Sequence, residues 1–329
     1  MEIFESLIGN EDIKSTLGNA IKNSEFLHAY IIEGAYGTGK HTTALLASCG
    51  IICGDKNCTY LNRCNMCKKI LGGNCPDVRV FDAFKVDDVR KIKETLYESP
   101  TECEYKIYIL SNVEKMNVKA QNALLISLEE PPKNVVFFLL CTDATVLLET
   151  IRSRAQILRT KPLSSAQIKG YLKEQGLDKG LSTVLDEIIL ASSGSLGYVL
   201  DMLNESKSEA ILKDRERAKG FALSLLASNT ETVTTLSSMF NMTREKLKEL
   251  FSLALVVLRD LAVVKRAKEA PLCFFTSINE AQDIASKYSL QKILFTYSSV
   301  EKGQEDLNAN ANVPSTLVSL IANSKKKGN

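Results

Sequence analysis

A glycine-rich segment, GAYGTGKHTT, occupies residues 34–43 and has the composition of a loop that binds phosphate groups. Glycines let backbone N–H groups approach phosphate oxygens, and the lysine can reach the outer phosphates of a nucleotide. The apolar run HAYIIEG precedes the loop and the helical pattern HTTALLASCGIIC follows it, which is the context that such a loop requires. The residues expected at this site are Gly34, Gly37, Thr38, Gly39, Lys40, His41 and Thr42.

The groups that would hold a metal ion and activate water are missing from this site. His41 follows the lysine, where a Ser or Thr hydroxyl normally ligates Mg²⁺, and imidazole suits that hard cation poorly. Thr42 is rotated by a helical step of about 100° and is expected to point elsewhere. The run KIYIL ends in Ser111 and Asn112, where two acids would hold the metal shell and polarise water. We therefore expect no ATP hydrolysis, although ATP or ADP binding stays compatible with the loop, and we assign Glu114 to a helix surface.

Five of the nine cysteines are clustered in a short segment after the loop, which indicates a metal site rather than disulfides. The spacing C-x4-C-x5-C-x2-C predicts a closed tetrahedral zinc site, structural because four sulfurs leave no open coordination position. Cys49 and Cys75 are near in sequence and leave the identity of the first two ligands open. Cys103, Cys141 and Cys273 are interpreted as packing residues. The expected ligands are Cys53, Cys58, Cys64 and Cys67.

The segment TIRSRAQ, residues 150–156, follows the last apolar run of strand length. Its simplest interpretation is a helix surface with scattered arginines. Its position favours another role, because phosphate-loop ATPases that form rings place an arginine finger here. Such a finger reaches a neighbour's γ-phosphate and accelerates phosphoryl transfer by about 10³–10⁵ in other systems. We expect this role for Arg154, with Ser153 beside it.

The elements that must position these residues alternate between strand-like and helix-like segments up to residue 162. VRVFDA, KIYIL and VVFFLLCT are further apolar runs of strand length with helical patterns between them. This alternation predicts an α/β domain in which helices cover both faces of a parallel sheet. The segment VKAQNALLISLEE places Ala120, Ala123, Leu124 and Leu128 on one helical face.

Beyond Pro162 the sequence predicts helices only. Ser164 or Ser165 caps the first of them, and two more are separated at Ser193-Gly194. A helical stripe farther along the chain is interpreted as a buried core face, with a partner surface as the alternative. The stripe consists of Leu247, Leu250, Phe251, Ala254, Val257, Leu258 and Leu261.

The composition is that of a globular protein of two or three domains, with 329 residues, 45% hydrophobic and 24% charged. Lysine and arginine exceed the acids by only two (41 − 39), so DNA contact would need a local patch or a shared assembly. The acidic start MEIFESLIGN is no secretory signal, and no apolar run approaches the roughly 20 residues of a membrane helix. A cytoplasmic protein is expected, with Lys325–Lys327 as a solvated tail.

Several motifs resemble the AAA+ clamp-loader family of bacterial DNA polymerase III over nearly the whole chain, and within it the delta-prime branch. FESLIGNEDI is similar to the family's adenine-side box, with Ile8 and Gly9 kept, and AQNALLISLEEPP is very close to its AQNALLKTLEEPP. TIRSRAQ resembles the Ser-Arg-Cys motif, which carries the arginine finger over to Arg154, with Ala155 replacing cysteine. GSLGYVLDML has Gly197 where the ATPase paralogue has an arginine that contacts phosphates.

The resemblance implies an AAA+ domain over residues 1–162 with the cysteine insertion at about 53–67, a helical lid over 163–206 and a helical collar over 207–329. It implies a non-catalytic ring subunit that supplies its arginine to a gamma/tau-like ATPase, beside a delta-like subunit. The ring would load the sliding clamp onto primer–template DNA. The alternative is an active gamma/tau-like motor; a nucleotide kinase is disfavoured by the missing acids and the long helical C-terminal region.

Overall fold

Four of the apolar runs form strands, and a fifth strand follows them. In this computed structural model the sheet consists of β1 (Ala29–Glu33), β2 (Val78–Phe81), β3 (Lys106–Leu110), β4 (Val135–Cys141) and β5 (Gln156–Arg159). All neighbouring strands are parallel, in the order β2-β3-β4-β1-β5. The structure describes residues 2–55, 58–81, 86–177, 182–228, 230–267, 272–275, 277–309 and 311–324. The predicted parallel α/β fold is confirmed.

The fifth strand corrects the prediction that TIRSRAQ lies beyond the last strand. Arg154 precedes β5, which pairs with β1 from Tyr30 opposite Gln156 to Glu33 opposite Arg159. The strand has only four residues and a single buried one, because it lies at the edge of the sheet. Its sequence therefore shows no apolar run that could have predicted it.

Alternate side chains of the central strands enter separate cores on the two faces of the sheet. Ile32 and Phe138 pack on one face with α1 (Glu11–Lys22), α2 (Lys40–Ile52) and α3 (Asn65–Leu71). Ile31 and Phe137 pack on the other face with α4 (Val86–Leu96) and α5 (Val118–Glu129). The predicted face of α5 belongs to this second core: Ala120, Leu124 and Leu128 are buried and Ala123 packs against them.

Two short helices complete this part of the chain, α6 (Glu149–Arg152) and α7 (Ser165–Glu174). Ser164 caps α7, since its Oγ accepts from the backbone N–H of Gln167 at 3.2 Å. The Gln167 side chain in turn accepts from the Ser164 N–H at 2.9 Å, which completes a capping box.

The described residues beyond α7 form helices and the short loops between them, as predicted. The helices are α8 (Ser182–Ala191), α9 (Leu196–Leu203), α10 (Glu205–Ala227), α11 (Thr230–Ser237), α12 (Arg244–Arg266), α13 (Ile278–Ser286), α14 (Leu290–Asn308) and α15 (Val313–Ser324). The break between α8 and α9 falls at Ser193 and Gly194, which both have positive φ. The predicted stripe of α12 is buried in one core with residues of α10, α13, α14 and α15, so it is a core face.

The chain divides into two units, Met1–Leu177 with Gly194–Gly197, and Asp178–Ser193 with Tyr198–Asn329. The finer division into core, lid and collar at residues 162 and 206 stays a prediction. None of the helices described is long and apolar enough to cross a membrane. The predicted Lys325–Lys327 tail lies outside the described residues.

Candidate functional site

The glycine-rich loop joins β1 to α2 and leaves no room for a side chain at Gly34 or Gly37. Gly37 and Gly39 have φ of 71° and 93°, a left-handed conformation that glycine adopts without strain. A Cβ on Gly34 would lie 1.8 Å from Thr160 Oγ1, and one on Gly37 would lie 2.2 Å from Ser195 Oγ. The packing of the loop therefore requires these glycines whether or not a phosphate is bound.

Lys40 is the first residue of α2 and turns its ammonium back into the loop. Its Nζ donates to the carbonyl oxygens of Gly34 at 2.6 Å and Ala35 at 2.8 Å. Burial lowers the pKa of Lys40, and the negative charge of Glu114 opposes that shift. The loop thus keeps a cationic donor within reach of a phosphate bound to its N–H groups.

Asn10 links the loop by hydrogen bonds to the segment that follows β5. Its Nδ2 donates to the Thr38 carbonyl oxygen at 3.1 Å, and its Oδ1 accepts from the Lys161 backbone N–H at 2.7 Å. The hydroxyls of Thr38 and Thr160 lie 2.7 Å apart. Thr160 was not predicted as part of the site, because its strand was not recognised in the sequence.

The two residues predicted for the adenine side, Ile8 and Gly9, lie immediately before Asn10. Ile8 is half-buried, and Gly9 is buried with a φ of 61°. A Cβ on Gly9 would lie 2.6 Å from Leu163 Cδ2. The backbone of this segment is therefore packed tightly against the residues that follow β5.

The residues that stand in place of the expected metal-binding groups lie at the start of α2 and directly after β3. His41 and Thr42 are exposed in the first turn of α2. Ser111 is half-buried and its backbone N–H donates to the Phe81 carbonyl oxygen at 2.9 Å. Asn112 is exposed with a φ of 55°, a left-handed conformation that asparagine tolerates better than most residues. A structural role thus accounts for Asn112 without any chemistry.

Glu114 lies in a short helix, as predicted, but its side chain is partly buried. It lies in a 3₁₀ turn after β3, Val113–Lys115, and its Oε1 accepts from Thr142 Oγ1 at 3.0 Å. Its Oε2 is buried and has no hydrogen-bond partner among the described residues. Burial and the charge of Glu114 together raise the pKa of Cys141 to about 12. The sequence did not predict the contact with Thr142, because it joins turns after two neighbouring strands that are far apart in sequence.

Gly197 lies directly against the glycine-rich loop. Its backbone N–H donates to the Gly37 carbonyl oxygen at 3.2 Å. A Cβ at this position would lie 2.7 Å from Gly37 Cα, which is closer than real contacts allow. No side chain fits here unless the loop moves, and the arginine expected at this position in an ATPase paralogue would have to displace it.

The four predicted zinc ligands converge between the end of α2 and the start of α3. All four Sγ atoms lie within 4.8 Å of one another. Cys53 and Cys64 have their sulfurs 3.7 Å apart, and Cys58 and Cys67 have theirs 3.6 Å apart. Sulfurs bound tetrahedrally to zinc at about 2.3 Å are separated by about 3.8 Å. The arrangement therefore fits a zinc ion, and zinc occupancy stays a prediction.

The thiols differ in how readily they ionise. Burial opposes ionisation of Cys64, but hydrogen bonds, first that from the Cys67 backbone N–H, outweigh burial and lower its pKa. Burial raises the pKa of Cys53 and of Cys58. Metal binding would consequently release protons from these thiols, since zinc binds the thiolate form.

The neighbouring cysteines are not members of the cluster, although Cys49 contacts it. Cys49 is buried and its Sγ donates to the Cys67 carbonyl oxygen at 3.8 Å. The Sγ atoms of Cys75 and Cys103 lie 3.7 Å from each other. Over the described residues, the group of sulfurs able to hold a metal contains neither Cys49 nor Cys75.

Arg154 lies in the turn between α6 and β5 with its side chain 35% exposed. Its Nη2 lies 2.9 Å from Glu129 Oε1, and its Nη1 donates to the Thr150 carbonyl oxygen at 2.9 Å. Ser153 is exposed and its Oγ donates to the same carbonyl at 3.1 Å. Glu129 was not predicted as a partner, although it belongs to the motif AQNALLISLEEPP.

Comparisons relate this chain to subunits of DNA polymerase III. Residues 9–164 match the family described as "DNA polymerase III, delta subunit". The tau subunit of Bacillus subtilis is 33% identical over 218 residues, which cover 62% of this chain and 38% of tau. The delta' subunit of that organism is 32% identical over 177 residues, which cover 53% of this chain and 54% of delta'. A solved gamma subunit-related protein from Thermotoga maritima aligns with 20% identity and a TM-score of 0.47, covering 96% of this chain and 99% of its own.

These similarities agree with the resemblance to clamp-loader subunits of DNA polymerase III that the motifs carry. It spans only 38% of the length of tau and 54% of that of delta'. Relatives of both types match, so the identity values alone do not assign the chain to one of them.

Proposed function

We propose that this relative of the DNA polymerase III tau and delta' subunits is a non-catalytic clamp-loader subunit of the delta-prime type. It would act in the cytoplasm, in a hetero-oligomeric ring with gamma/tau-like ATPase and delta-like subunits. The ring would use ATP to load the sliding clamp onto primed DNA during replication. The observation that carries the proposal is the end of β3, where Ser111 and Asn112 stand at the two positions expected to hold acids, while the phosphate loop is intact.

Phosphoryl transfer depends on positioned charges, above all a metal ion and a group that orients the attacking water. His41 replaces the hydroxyl that would ligate the metal, and Ser111 and Asn112 replace the two acids. Gly197 lies against the loop where a paralogue would place an arginine. The loop and Lys40 can therefore seat ATP or ADP, but this chain has no constellation for hydrolysing it.

Arg154 is the group that would act on a neighbour's nucleotide. Its ion pair with Glu129 is partly exposed on both sides, 35% and 48%, so it contributes at most about 1 kcal/mol. A γ-phosphate carries more charge than one carboxylate and accepts the same bidentate hydrogen bonds from a guanidinium. Arg154 can therefore leave Glu129 for a phosphate at little cost when a neighbouring subunit presents one.

The four cysteines would serve the subunit as a structural zinc module. Cys53 caps the end of α2 and Cys64 caps the start of α3. Four thiolates around one zinc ion would tie these two helices together and leave no coordination position for a substrate.

The similarity to tau favours a second candidate, an active gamma/tau-like ATPase motor. Such a motor needs a metal-binding acid at the end of β3 and room for an arginine beside the loop. Ser111, Asn112 and the close approach of Gly197 to Gly37 all speak against it.

The proposal is tested by ATP turnover of the clamp loader reconstituted from this chain and its cognate ATPase and delta-like subunits. Arg154→Ala should assemble normally and lower DNA-dependent turnover, because one ATPase site loses its finger. Arg159→Ala is the matched control, since it also removes an arginine–glutamate pair, with Glu33 at 2.8 Å, five residues along the same segment. Unchanged turnover with Arg154→Ala, or an equal loss with Arg159→Ala, would refute the finger assignment.

A further inference from the structure

Two cysteines outside the four-cysteine cluster lie in contact with each other. The Sγ atoms of Cys75 and Cys103 are 3.7 Å apart, and both residues are free thiols. Cys75 is buried, whereas Cys103 is partly exposed, so a small molecule can reach Cys103. Sulfurs joined in a disulfide lie about 2.05 Å apart, and side-chain rotation can supply an approach of that size.

The strand register brings the two thiols together. β2 and β3 are neighbouring parallel strands, with Val78 opposite Ile107. Cys75 lies a few residues before Val78, and Cys103 lies a few residues before Ile107, so both precede the paired part of their strands. They therefore lie at the edge of the sheet where the strands begin, and the glycine-rich loop, which follows the end of β1, lies at the opposite edge.

A buried carboxylate holds the backbone of this pair in place. Asp77 accepts hydrogen bonds from the backbone N–H groups of Thr101 at 2.8 Å, Glu102 at 2.7 Å and Cys103 at 2.9 Å. Burial opposes ionisation of Asp77, but these hydrogen bonds outweigh burial and lower its pKa. Because Asp77 follows Cys75 by two residues, its ionised side chain keeps the two cysteines next to each other.

The pair does not have the ligands of a second zinc site. Met66 Sδ lies 3.6 Å from Cys103 Sγ and adds a thioether, which is not among the usual ligands of zinc. Over the described residues, the group of side chains able to hold a metal contains neither Cys75 nor Cys103. Two thiols in contact without a metal are the reactants from which a disulfide forms.

The surroundings of Cys103 set how fast it can react. Burial, and then the hydrogen bond and charge of Cys75 and the charge of Asp77, raise the pKa of Cys103 to about 12. The thiolate is the nucleophile in disulfide exchange, and a protonated thiol reacts slowly. The pair should therefore stay reduced in a reducing compartment and become oxidised only during prolonged exposure to an oxidant.

We propose that Cys75 and Cys103 are a site of oxidative modification, at which a small disulfide such as oxidised glutathione converts the two thiols into a cross-link between the segments that precede β2 and β3. The Cys103 thiolate attacks one glutathione sulfur and displaces the other glutathione. The Cys75 thiolate then attacks Cys103 Sγ and displaces the second one. The protons of the two protein thiols pass to the two released glutathiones, so the protein loses two electrons and the oxidant gains them.

The cross-link would act on stability. It would close the chain from residue 75 to residue 103 around β2 and α4, which restricts the unfolded chain and stabilises the folded one. It would leave the four-cysteine cluster intact, because neither thiol belongs to that cluster. The inference does not depend on the clamp-loader assignment.

The test is peptide mapping of the full chain by mass spectrometry after incubation with oxidised glutathione, with the remaining thiols blocked before digestion. Trypsin separates Cys75, in ILGGNCPDVR, from Cys103, in ETLYESPTECEYK, and each peptide has a single cysteine. Wild type should yield these two peptides joined by a disulfide that dithiothreitol breaks. The oxidised protein should unfold about 5–10 °C higher than the reduced protein, with its zinc content unchanged.

Cys75→Ser removes the thiol that completes the cross-link, so glutathione should remain attached to Cys103 in this variant. Cys273→Ser is the matched control, because Cys273 is also partly exposed but lies outside the pair, and this variant should still form the cross-link. Wild type that carries glutathione on Cys273 while Cys75 and Cys103 stay reduced would overturn the inference. Glutathione retained on Cys103 of wild type, or cross-links confined to the four-cysteine cluster, would overturn it as well.

Discussion

The two ends of α2 carry two candidate sites that differ in how many of their expected functional groups are present. At its first turn, Lys40 and the glycine-rich loop remain, but the groups that would bind metal and orient water do not. At its last turn, Cys53 joins three other cysteines whose sulfurs lie within 4.8 Å of one another, a full set of ligands for zinc. One helix thus connects a phosphate loop that lacks the expected acids with a cysteine cluster whose geometry fits zinc.

The difference between the two sites shows why the glycines of the loop and the cysteines of the cluster are retained. The glycines are held by the fold, because Gly34 faces Thr160 and Gly37 faces Gly197 at distances that exclude a Cβ. This packing does not depend on the residue types at Ser111 and Asn112, so the loop can persist without acids at those positions. A cysteine cluster has no such intermediate condition, since each missing sulfur would open the coordination sphere.

Removing zinc should have the largest effect and would test whether the cysteine site is complete. Cys64→Ser, or a strong chelator added to wild type, should lower the unfolding temperature by about 5–10 °C, because structural zinc contributes folding free energy directly. Metal analysis of freshly purified protein should give one zinc per chain. Cys103→Ser is the control, since Cys103 lies near the module but outside the cluster. Fresh wild-type protein without zinc would contradict the assignment.

Adding a methyl group at Gly34 tests whether the loop is preserved by packing. Gly34→Ala should destabilise the chain by about 1–3 kcal/mol, because its Cβ would meet Thr160 Oγ1 at 1.8 Å. The double variant Gly34→Ala with Thr160→Ala should recover part of that loss, which a double-mutant cycle in urea would measure. A stable Gly34→Ala variant that fails only to bind nucleotide would show that phosphate, and not packing, explains the glycine.

The sequence predicted the parts of both sites that depend on local pattern. Four strands were visible as apolar runs, and the cysteine spacing predicted the C-x2-C pair. It also favoured Cys53 and Cys58, although Cys49 and Cys75 left the first two ligands open. Pattern could not reveal β5, whose four residues have one buried side chain at the sheet edge. Nor could it reveal the strand order, which brings Glu114 to Thr142 and Thr160 to the loop.

The smallest expected effect concerns the pair that holds Arg154. Glu129→Gln should change the free energy of unfolding by less than about 1 kcal/mol, because the ion pair is partly exposed. Turnover of the reconstituted clamp loader should stay equal to that of wild type or rise slightly, since Arg154 would be freer to reach a neighbour's phosphate. A collapse of turnover with Glu129→Gln would show that Arg154 works only while it is paired.

The most direct test of the central claim is ATP turnover by the purified chain alone, measured against its Lys40→Ala variant. The absence of carboxylates at Ser111 and Asn112 predicts equal background rates for the two proteins, whether or not the wild type binds nucleotide. Turnover by wild type that Lys40→Ala abolishes would contradict the non-catalytic assignment and establish the chain as a motor.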